Sequence, residues 1–434
     1  MIKTPIETPP TPSLATDAHV VLLVNFVAPN LGPVCHEIQK RVGRLTILSS
    51  VANESNRRWE LAWNDLDVVV QKNWTFTRHP RHPGGYREVN YVHIPVDTIG
   101  RLRKLRPDAI VSLELGMRTV LSMAYRKFNH SCAHIAAFNA NVRSEAGRGR
   151  LRNAMRRRMI RRLDWVTHNG PSCREVLLDL GADPARLSPW HYAADPSKAY
   201  SGPISISNNR SHLSLLSVGE LSERKGSELA MMQLVAWAKL NPSYSIEWNL
   251  VGSGPAEASL QQIKTPSNLN VNFHGFCDPD SIREHYQRND AMLFPTLCDE
   301  WGLVVDESLG SGLPVIGSCH AQSVTTLIKN GHNGFVYDPE RNDELASALD
   351  RIVRMTSSEY AAMPEQARQS IASRTCAASA EQFVHAVSCA MQQRRGSASP
   401  QNIEDQSVED SMDENSMDED SMDVGRSLVE GAAQ

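Results

Sequence analysis

Two adjacent cations and two spaced acids are the side chains of this sequence that best suit a chemical role. Arg224 and Lys225 precede Gly226 and a predicted helix, and cations at a helix start can stabilise a departing nucleotide diphosphate. Asp299 and Glu307 lie eight positions apart, and carboxylates accept hydrogen bonds from sugar hydroxyls. The pattern predicts a nucleotide-sugar site. The alternative is a solvated Arg-Lys pair at a turn, with acids that merely occupy the first turns of a helix, where acids are favoured.

The segment that carries both acids, Leu293–Ser318, predicts a strand, a loop, a short helix over about Gly302–Ser311, and a second strand. Gly302 allows the backbone to come close to a ligand at the start of that helix. The free N–H groups of Gly302, Leu303 and Val304, together with the helix dipole, suit a phosphate or pyrophosphate. An ordinary strand-helix-strand unit without a ligand is the alternative.

Alternating buried strands and amphipathic helices, interrupted by polar stretches, predict two α/β domains that position these residues. The predicted segments are, in order, a disordered Pro- and Thr-rich start (1–17), a Rossmann-like domain (18–200), a Ser-, Asn- and Gly-rich linker (201–210), a second Rossmann-like domain (211–375), a C-terminal helix (376–395) and an acidic disordered tail (396–434).

Composition restricts the class of protein. A chain of 434 residues with 41% hydrophobic residues can form two globular domains. No run approaches the roughly 18 to 20 apolar residues of a membrane span, and Val20–Val24 predicts a buried strand rather than a signal peptide, so we expect a cytoplasmic protein. Eight cysteines without a C-x-x-C pair indicate reduced thiols rather than disulfides or a structural zinc site.

The net charge of -4 conceals an asymmetry. From Gly396 onward the sequence has eleven acids and one basic residue, Arg426, so the remainder carries a charge of about +6. A mildly basic folded part fits an anionic donor and an anionic membrane surface. We expect no nucleic-acid partner.

The segment around Asp299 and Glu307 resembles the acid-x7-acid signature of the retaining GT-B glycosyltransferases of family four, also called glycosyltransferase group 1. Members usually read Glu, two residues, Gly-Leu-Val, two or three residues, Glu-Ala and then a Gly-Leu-Pro-Val strand, and this sequence has DEWGLVVDESLGSGLPV at that place. The resemblance is strong over 215–339 and weaker in the first half of the chain. It implies two Rossmann-like domains that face a cleft, with a C-terminal helix that crosses back.

The resemblance also implies roles for single residues. Asp299 takes the place of the acid that contacts the donor sugar, and Glu307 that of the acid that holds the ribose. Glu300 stands beside Asp299, so either carboxylate could reach the sugar. Lys225 matches the phosphate-binding lysine of the pattern strand-Gly-x-Leu-x-x-x-Lys-Gly. Further positions are implied to bind the donor: Gly219 at the strand end, the backbone around Phe276 at the base, and Arg224, Gly302, Leu303 and Val304 at the phosphates.

Several positions depart from the family pattern. Glu220 stands where many members have Arg, so Arg224 is expected to supply that charge. No His follows the predicted strand His134–Phe138, where relatives have one near the donor sugar, and Asn139 and Arg143 stand there instead. Asp278-Pro-Asp280 resembles a metal-binding D-x-D, but it opens a predicted helix, where acids serve as caps.

A very basic amphipathic helix is predicted over 147–164. Eight arginines fall within Arg148–Arg162, and Leu151, Met155, Met159 and Leu163 repeat every four residues. Such a helix either packs its apolar stripe on the sheet or lies on anionic lipid. Both contacts can coexist.

The residues predict glycosyl transfer from a nucleotide-diphosphate sugar, and the family resemblance implies a hexose and a glycan or lipid-linked acceptor. The resemblance implies retention of configuration and no metal or other cofactor. Two other classes of protein share parts of this pattern. A nicotinamide-dependent oxidoreductase is disfavoured because Glu257 replaces the third glycine after Gly252-x-Gly254 and no acid ends the next strand. A non-catalytic nucleotide-sugar or glycan-binding protein on the same fold is the alternative.

Overall fold

The structure is a computed structural model that describes residues 17–54, 63–87, 89–202 and 211–397. The predicted disordered start, linker and acidic tail fall, apart from one or two residues at their ends, outside these ranges. Within the described residues, no helix is both long enough and apolar enough to span a bilayer.

The N-terminal unit is a parallel sheet with helices on both faces. Its strands are β1 (His19–Val24), β2 (Arg44–Ser49), β3 (Asp67–Val70), β4 (Asn73–Arg78), β5 (Asn90–Pro95), β6 (Ala109–Leu113), β7 (Ala133–Phe138), β8 (Trp165–His168) and β9 (Leu187–Pro189). Its helices are α1 (Leu31–Gln39), α2 (Thr98–Leu105), α3 (Met117–Arg126), α4 (Arg150–Arg161) and α5 (Pro171–Asp179).

Seven of these strands pair in parallel in the order β3-β2-β1-β6-β7-β8-β9. The central strands are almost continuously apolar because both faces are covered by helices; β1 and β7 are buried along nearly their whole length. The other two strands, β4 and β5, form a separate antiparallel ribbon. The sequence did not predict β4.

The C-terminal unit repeats the design with a six-stranded parallel sheet in the order β12-β11-β10-β13-β14-β15. Its strands are β10 (His212–Val218), β11 (Ser245–Val251), β12 (Leu269–Gly275), β13 (Ala291–Phe294), β14 (Val315–Ser318) and β15 (Gly334–Tyr337). Its helices are α6 (Ser227–Leu240), α7 (Glu257–Gln262), α8 (Pro279–Arg288), α9 (Leu303–Ser311), α10 (Gln322–Leu327), α11 (Glu344–Arg354) and α12 (Ser357–Ile371).

The last helix, α13 (Cys376–Ser397), returns to the N-terminal unit. It packs against α1, β7 and β8, and its Phe383 and Val387 are buried in the N-terminal core. The predicted architecture of two Rossmann-like units with a helix that crosses back is therefore confirmed. The chain breaks between α12 and α13, where it changes units.

Candidate active site

Two loops meet at the carboxyl edge of the C-terminal sheet. The turn Glu223–Lys225 follows β10, and the segment Pro295–Trp301, called the acid loop here, follows β13. Because β10 and β13 are neighbours in a parallel sheet, their carboxyl ends lie side by side. The Arg224 carbonyl accepts from Leu297 N at 2.8 Å, and the Arg224 guanidinium donates to the Cys298 carbonyl at 2.9 Å.

Asp299 lies between the two predicted cations. Lys225 Nζ donates to Asp299 Oδ2, and Arg224 Nη1 lies 3.7 Å from the same oxygen. Burial alone would raise the pKa of Asp299, but Lys225 and Arg224 outweigh burial and hold that pKa below its ordinary value. Asp299 is therefore a carboxylate across the physiological range, fixed in orientation by two cations.

Two glycines permit the close approach of these loops. Gly226 has φ of 70° and faces the Pro295 carbonyl so closely that a Cβ would collide with it. Gly302 has φ of 95°, and a Cβ there would lie 2.7 Å from the Phe294 ring. Side chains at either position would push the acid loop away from the turn and from the start of α9.

The start of α9 has the features expected of an anion site. Gly302 is the left-handed N-cap, and Gly302, Leu303 and Val304 are half-buried. Trp301 packs beneath them, and its indole N–H donates to Asp306 Oδ2 at 2.6 Å. The free backbone N–H groups at the start of a helix can bind an anion such as a diphosphate.

Glu307 is held by a different set of partners from Asp299. Tyr286 Oη donates to Glu307 Oε2 at 2.9 Å, and Lys198 Nζ lies 3.8 Å from Glu307 Oε1. Burial raises the pKa of Glu307 above its ordinary value. The structure thus brings Arg224, Lys225 and Asp299 together and supports Glu307 from α8 and the end of the N-terminal unit.

The remaining predicted residues lie along the same edge of the sheet. Gly219 follows β10 directly, and Phe276 follows β12 with 61% of its surface exposed. The Glu300 carbonyl accepts from Gln322 Nε2 at 2.9 Å and from Asn169 Nδ2 at 3.3 Å. Asp299, rather than Glu300, is the carboxylate that pairs with Lys225.

Side chains at the carboxyl edge of the N-terminal sheet hold the backbone of the acid loop. Asn141 Nδ2 donates to the Asp299 carbonyl at 2.7 Å, and Arg143 Nε donates to the Leu297 carbonyl at 2.6 Å. Gln322 of the C-terminal unit adds a reciprocal contact, because its Oε1 accepts from Cys173 N at 3.0 Å and its Nε2 donates to Asn169 at 2.9 Å. Arg143 was singled out in the sequence because it follows the predicted strand His134–Phe138. Its contact with the Leu297 carbonyl could not be predicted.

Among the described residues, one group of side chains that the sequence did not predict could hold a metal ion. The donor atoms of Cys319, His320 and Asp338 all lie within 4.8 Å of one another. His320 Nε2 is 3.2 Å from Asp338 Oδ1, and burial lowers the pKa of His320.

Asp278 has the capping role expected of it, because its Oδ1 accepts from Ser281 N at 2.9 Å; the Asp280 side chain lies outside the described residues.

Comparison with protein families gives a match over the second half of the chain. Residues 206–370 match the family described as glycosyl transferases group 1. Among curated relatives, an uncharacterized glycosyltransferase of Haemophilus influenzae is 26% identical over 141 residues, which is 32% of this chain and 39% of that protein. The D-inositol 3-phosphate glycosyltransferase of Rhodococcus jostii is 24% identical over 192 residues, which is 41% of this chain and 42% of that protein. The matches therefore span about two fifths of those relatives.

Solved structures resemble the chain over most of its length. The lipopolysaccharide outer core galactosyltransferase WaaB, in its apo form, superposes with a TM-score of 0.63 at 14% identity and covers 85% of this chain and 99% of its own. Anabaena HepE in complex with UDP-glucose gives a TM-score of 0.62 at 14% identity, with 84% and 98% covered. At such low identity these likenesses establish the fold, and the predicted GT-B architecture is confirmed.

Proposed function

We propose, from the match of residues 206–370 to group 1 glycosyltransferases, that this protein transfers a hexose from a nucleotide-diphosphate sugar to a glycan or lipid-linked acceptor. The reaction would proceed with retention of configuration, without a metal, as in family four. One observation carries the proposal: Asp299 is fixed by Lys225 and Arg224 beside the start of α9. A paired acid and two cations next to free helix N–H groups suit a ligand that has both hydroxyls and phosphates.

Each part of the donor has a counterpart in the site. The diphosphate would lie on the N–H groups of Gly302, Leu303 and Val304, with Arg224 and Lys225 beside it. When the bond from the sugar to the diphosphate breaks, the electron pair moves to the diphosphate oxygen, and these groups stabilise the added charge. The acceptor hydroxyl then bonds to the sugar carbon, and its proton passes to the departing diphosphate oxygen.

The acids and the strand ends would orient the rest of the donor. Asp299, with Glu300 beside it, would accept hydrogen bonds from sugar hydroxyls, and Glu307 from the ribose. Gly219 and the backbone at Phe276 would border the nucleotide. Because Lys225 donates to Asp299, the cation that stabilises the leaving group also fixes the acid that orients the sugar.

A lipid-linked acceptor would place the protein at the inner face of a membrane, as a cytoplasmic protein bound peripherally through Arg148–Arg162. Helix α4 supports this contact in part. Met159 and Ile160 are buried, but Leu151 is 86% and Met155 is 47% exposed. The apolar stripe of the helix therefore packs on the domain at one end and remains accessible at the other.

Release of the nucleoside diphosphate distinguishes a glycosyltransferase from a non-catalytic nucleotide-sugar or glycan-binding protein. Thermal shift with UDP-, GDP- and ADP-sugars identifies the donor class, and release of the nucleoside diphosphate then reports transfer or hydrolysis. We expect Arg224→Ala combined with Lys225→Ala to lower the release rate roughly 100-fold, because leaving-group stabilisation is lost. The matched control is Lys239→Ala, which removes an exposed cation of α6. Stabilisation by a nucleotide sugar without release under any acceptor condition would instead favour the non-catalytic binding protein.

A further inference from the structure

The ribbon formed by β4 and β5 turns its apolar side chains toward solvent. Trp74 is 64% and Phe76 is 51% exposed. Their register partners are Ile94 and Val92, and residues directly opposite in an antiparallel pair project from the same face. Val92 is 37% exposed. One face of the ribbon is therefore a continuous apolar surface.

On the other face of the ribbon, Thr75 and Thr77 are exposed, whereas His93 is turned toward the domain. His93 is opposite Thr75 in the register, and the side chain of His93 is only 2% exposed. Its Nδ1 lies 3.0 Å from Thr75 Oγ1, and its Nε2 lies 3.4 Å from Glu54 Oε1. A half-buried antiparallel sheet normally places apolar side chains inside and polar ones outside. A shift of one residue would exchange the two faces, and the observed register leaves Trp74 and Phe76 exposed.

Positive charge surrounds this apolar face. From Lys72 to Val96 the sequence has four Lys and Arg residues and a single acid, Glu88. The four cations, Lys72, Arg78, Arg81 and Arg87, are exposed. Val96, which follows the ribbon, adds another apolar side chain that is 51% exposed. Exposed aromatic and aliphatic side chains bordered by cations match the interface of a bilayer that contains anionic lipid.

We propose that the outward face of the β4–β5 ribbon docks on an anionic lipid bilayer, with Trp74 and Phe76 at the level of the headgroups and Arg78 and Arg81 against phosphates. The position of the ribbon supports this partner. A Cβ on Gly147 would lie 2.7 Å from Pro83 at the ribbon tip, so the tip contacts the segment that leads into α4, whose Leu151 is exposed. The ribbon and the start of α4 are therefore neighbouring parts of one basic and apolar surface.

The tip of the ribbon also touches the candidate active site. Arg87 N donates to Glu223 Oε2 at 2.9 Å, and Glu223 begins the turn that carries Arg224 and Lys225. Docking through the ribbon would bring a membrane surface next to the turn and the acid loop. This inference concerns lipid binding alone and does not depend on the transfer reaction.

Vesicle co-sedimentation with the full chain tests the proposal. The vesicles are phosphatidylcholine alone or phosphatidylcholine with phosphatidylglycerol. We expect binding to the anionic vesicles, and a decrease of about ten-fold in the partition constant for Trp74→Ser with Phe76→Ser. Arg78→Gln with Arg81→Gln should weaken binding by roughly five-fold per charge and reduce its salt dependence. The matched control is Met232→Ser with Leu240→Ser, which removes two exposed apolar side chains of α6 in the other unit.

A second measurement locates the contact. Brominated lipid should quench tryptophan fluorescence in the wild type, and Trp74→Phe should bind equally well but lose much of the quenching. The proposal is overturned if anionic vesicles do not bind, if the ribbon variant binds like the control, or if only Leu151→Ser with Met155→Ser weakens binding. It is also overturned if the ribbon variant abolishes a concentration-dependent dimer without lipid binding, because the face is then an interface between two copies of this chain.

Discussion

Asp299 is a half-buried carboxylate and Glu307 a buried one, and their surroundings move their pKa values in opposite directions. Two cations hold the pKa of Asp299 below its ordinary value, whereas burial raises the pKa of Glu307, with only a tyrosine hydroxyl and a lysine 3.8 Å away in partial compensation. Asp299 is therefore stabilised as an anion by the protein itself. Glu307 as an anion costs folding free energy, which suggests that hydrogen bonds from a ligand complete its surroundings.

Glu307→Gln should raise the thermal stability of the ligand-free protein at neutral pH. A carboxyl whose pKa is raised by folding stabilises the fold when protonated, and that stability is lost as the pH rises through the raised pKa. Glutamine avoids this loss, and its amide oxygen can still accept from Tyr286. Each 1 kcal/mol gained would appear as roughly 2 to 4 °C in Tm. The gain should disappear as the pH falls below about 4.3, where glutamate is protonated in both states.

Tm measured from pH 4 to 8 checks this expectation, with the exposed Glu365→Gln as the control. Nucleotide-induced stabilisation should meanwhile fall in Glu307→Gln, because only one acceptor oxygen remains for the ribose. A Tm gain that is the same at pH 4 and pH 8 would contradict the assignment of the effect to a buried charge.

At the scale of elements, the acid loop is fixed by residues from both units. Three of its carbonyls, those of Leu297, Asp299 and Glu300, accept from side chains that follow β7 and β8 or begin α10. Gln322 is 3% exposed and joins the loop to the start of α5 through Cys173 N. A loop held at its backbone keeps the side chain of Asp299 in place without a direct contact to it.

Gln322→Ala should loosen the acid loop. It removes three hydrogen bonds in a buried position, at a cost of about 2 kcal/mol, or roughly 4 to 8 °C in Tm. Because Gln322 contacts the backbone of the acid loop and not the side chains proposed to bind the donor, the release rate at saturating donor should fall by a larger factor than the donor KM rises.

The control for this element is Thr326→Ala, an exposed residue of the same helix. Steady-state kinetics of both variants show whether Gln322 positions the acid loop for the reaction or only stabilises the fold. If Gln322→Ala lowers Tm but leaves kcat and KM at wild-type values, the hydrogen bonds of Gln322 are structural and have no role in positioning Asp299.

At the scale of the whole molecule, one ion pair ties the chain crossing to both units. Arg374 lies between α12 and α13, donates to Asp306 Oδ1 at 3.1 Å and to the Tyr192 carbonyl at 2.9 Å, and stacks 4.3 Å from the Trp301 ring centroid. Asp306 is almost fully buried, so burial raises its pKa and Arg374 opposes that rise. The pair joins α9 to the point where the chain returns to the N-terminal unit.

Arg374→Gln should destabilise the protein by about 3 to 5 kcal/mol, because it leaves Asp306 as an uncompensated buried charge. The double variant with Asp306→Asn should recover a large part of that loss, since the remaining partner is then neutral. Thermal unfolding of the two single variants and the double variant gives the coupling between the residues. Additive effects would show that the ion pair does not carry the stability assigned to it.

The sequence by itself determined the local features of this protein. Apolar runs at strand spacing located the central strands, and Gly302 with Gly312 marked the ends of α9, because both positions have positive φ that favours glycine. The segment Leu293–Ser318 therefore predicted its own strand-helix-strand structure within a residue or two. The two-unit architecture followed from the repetition of such segments and from the family resemblance.

Only the tertiary structure decided which distant groups meet. Lys225 and Asp299 are 74 residues apart, and Asn141 and Asp299 are 158 apart; both contacts depend on strand order and on how the units face each other. The sequence also missed β4 and the outward face of its ribbon, because alternation locates two faces of a strand but not which one is buried. Register and packing partners decide that, and they are set by contacts far away in the chain.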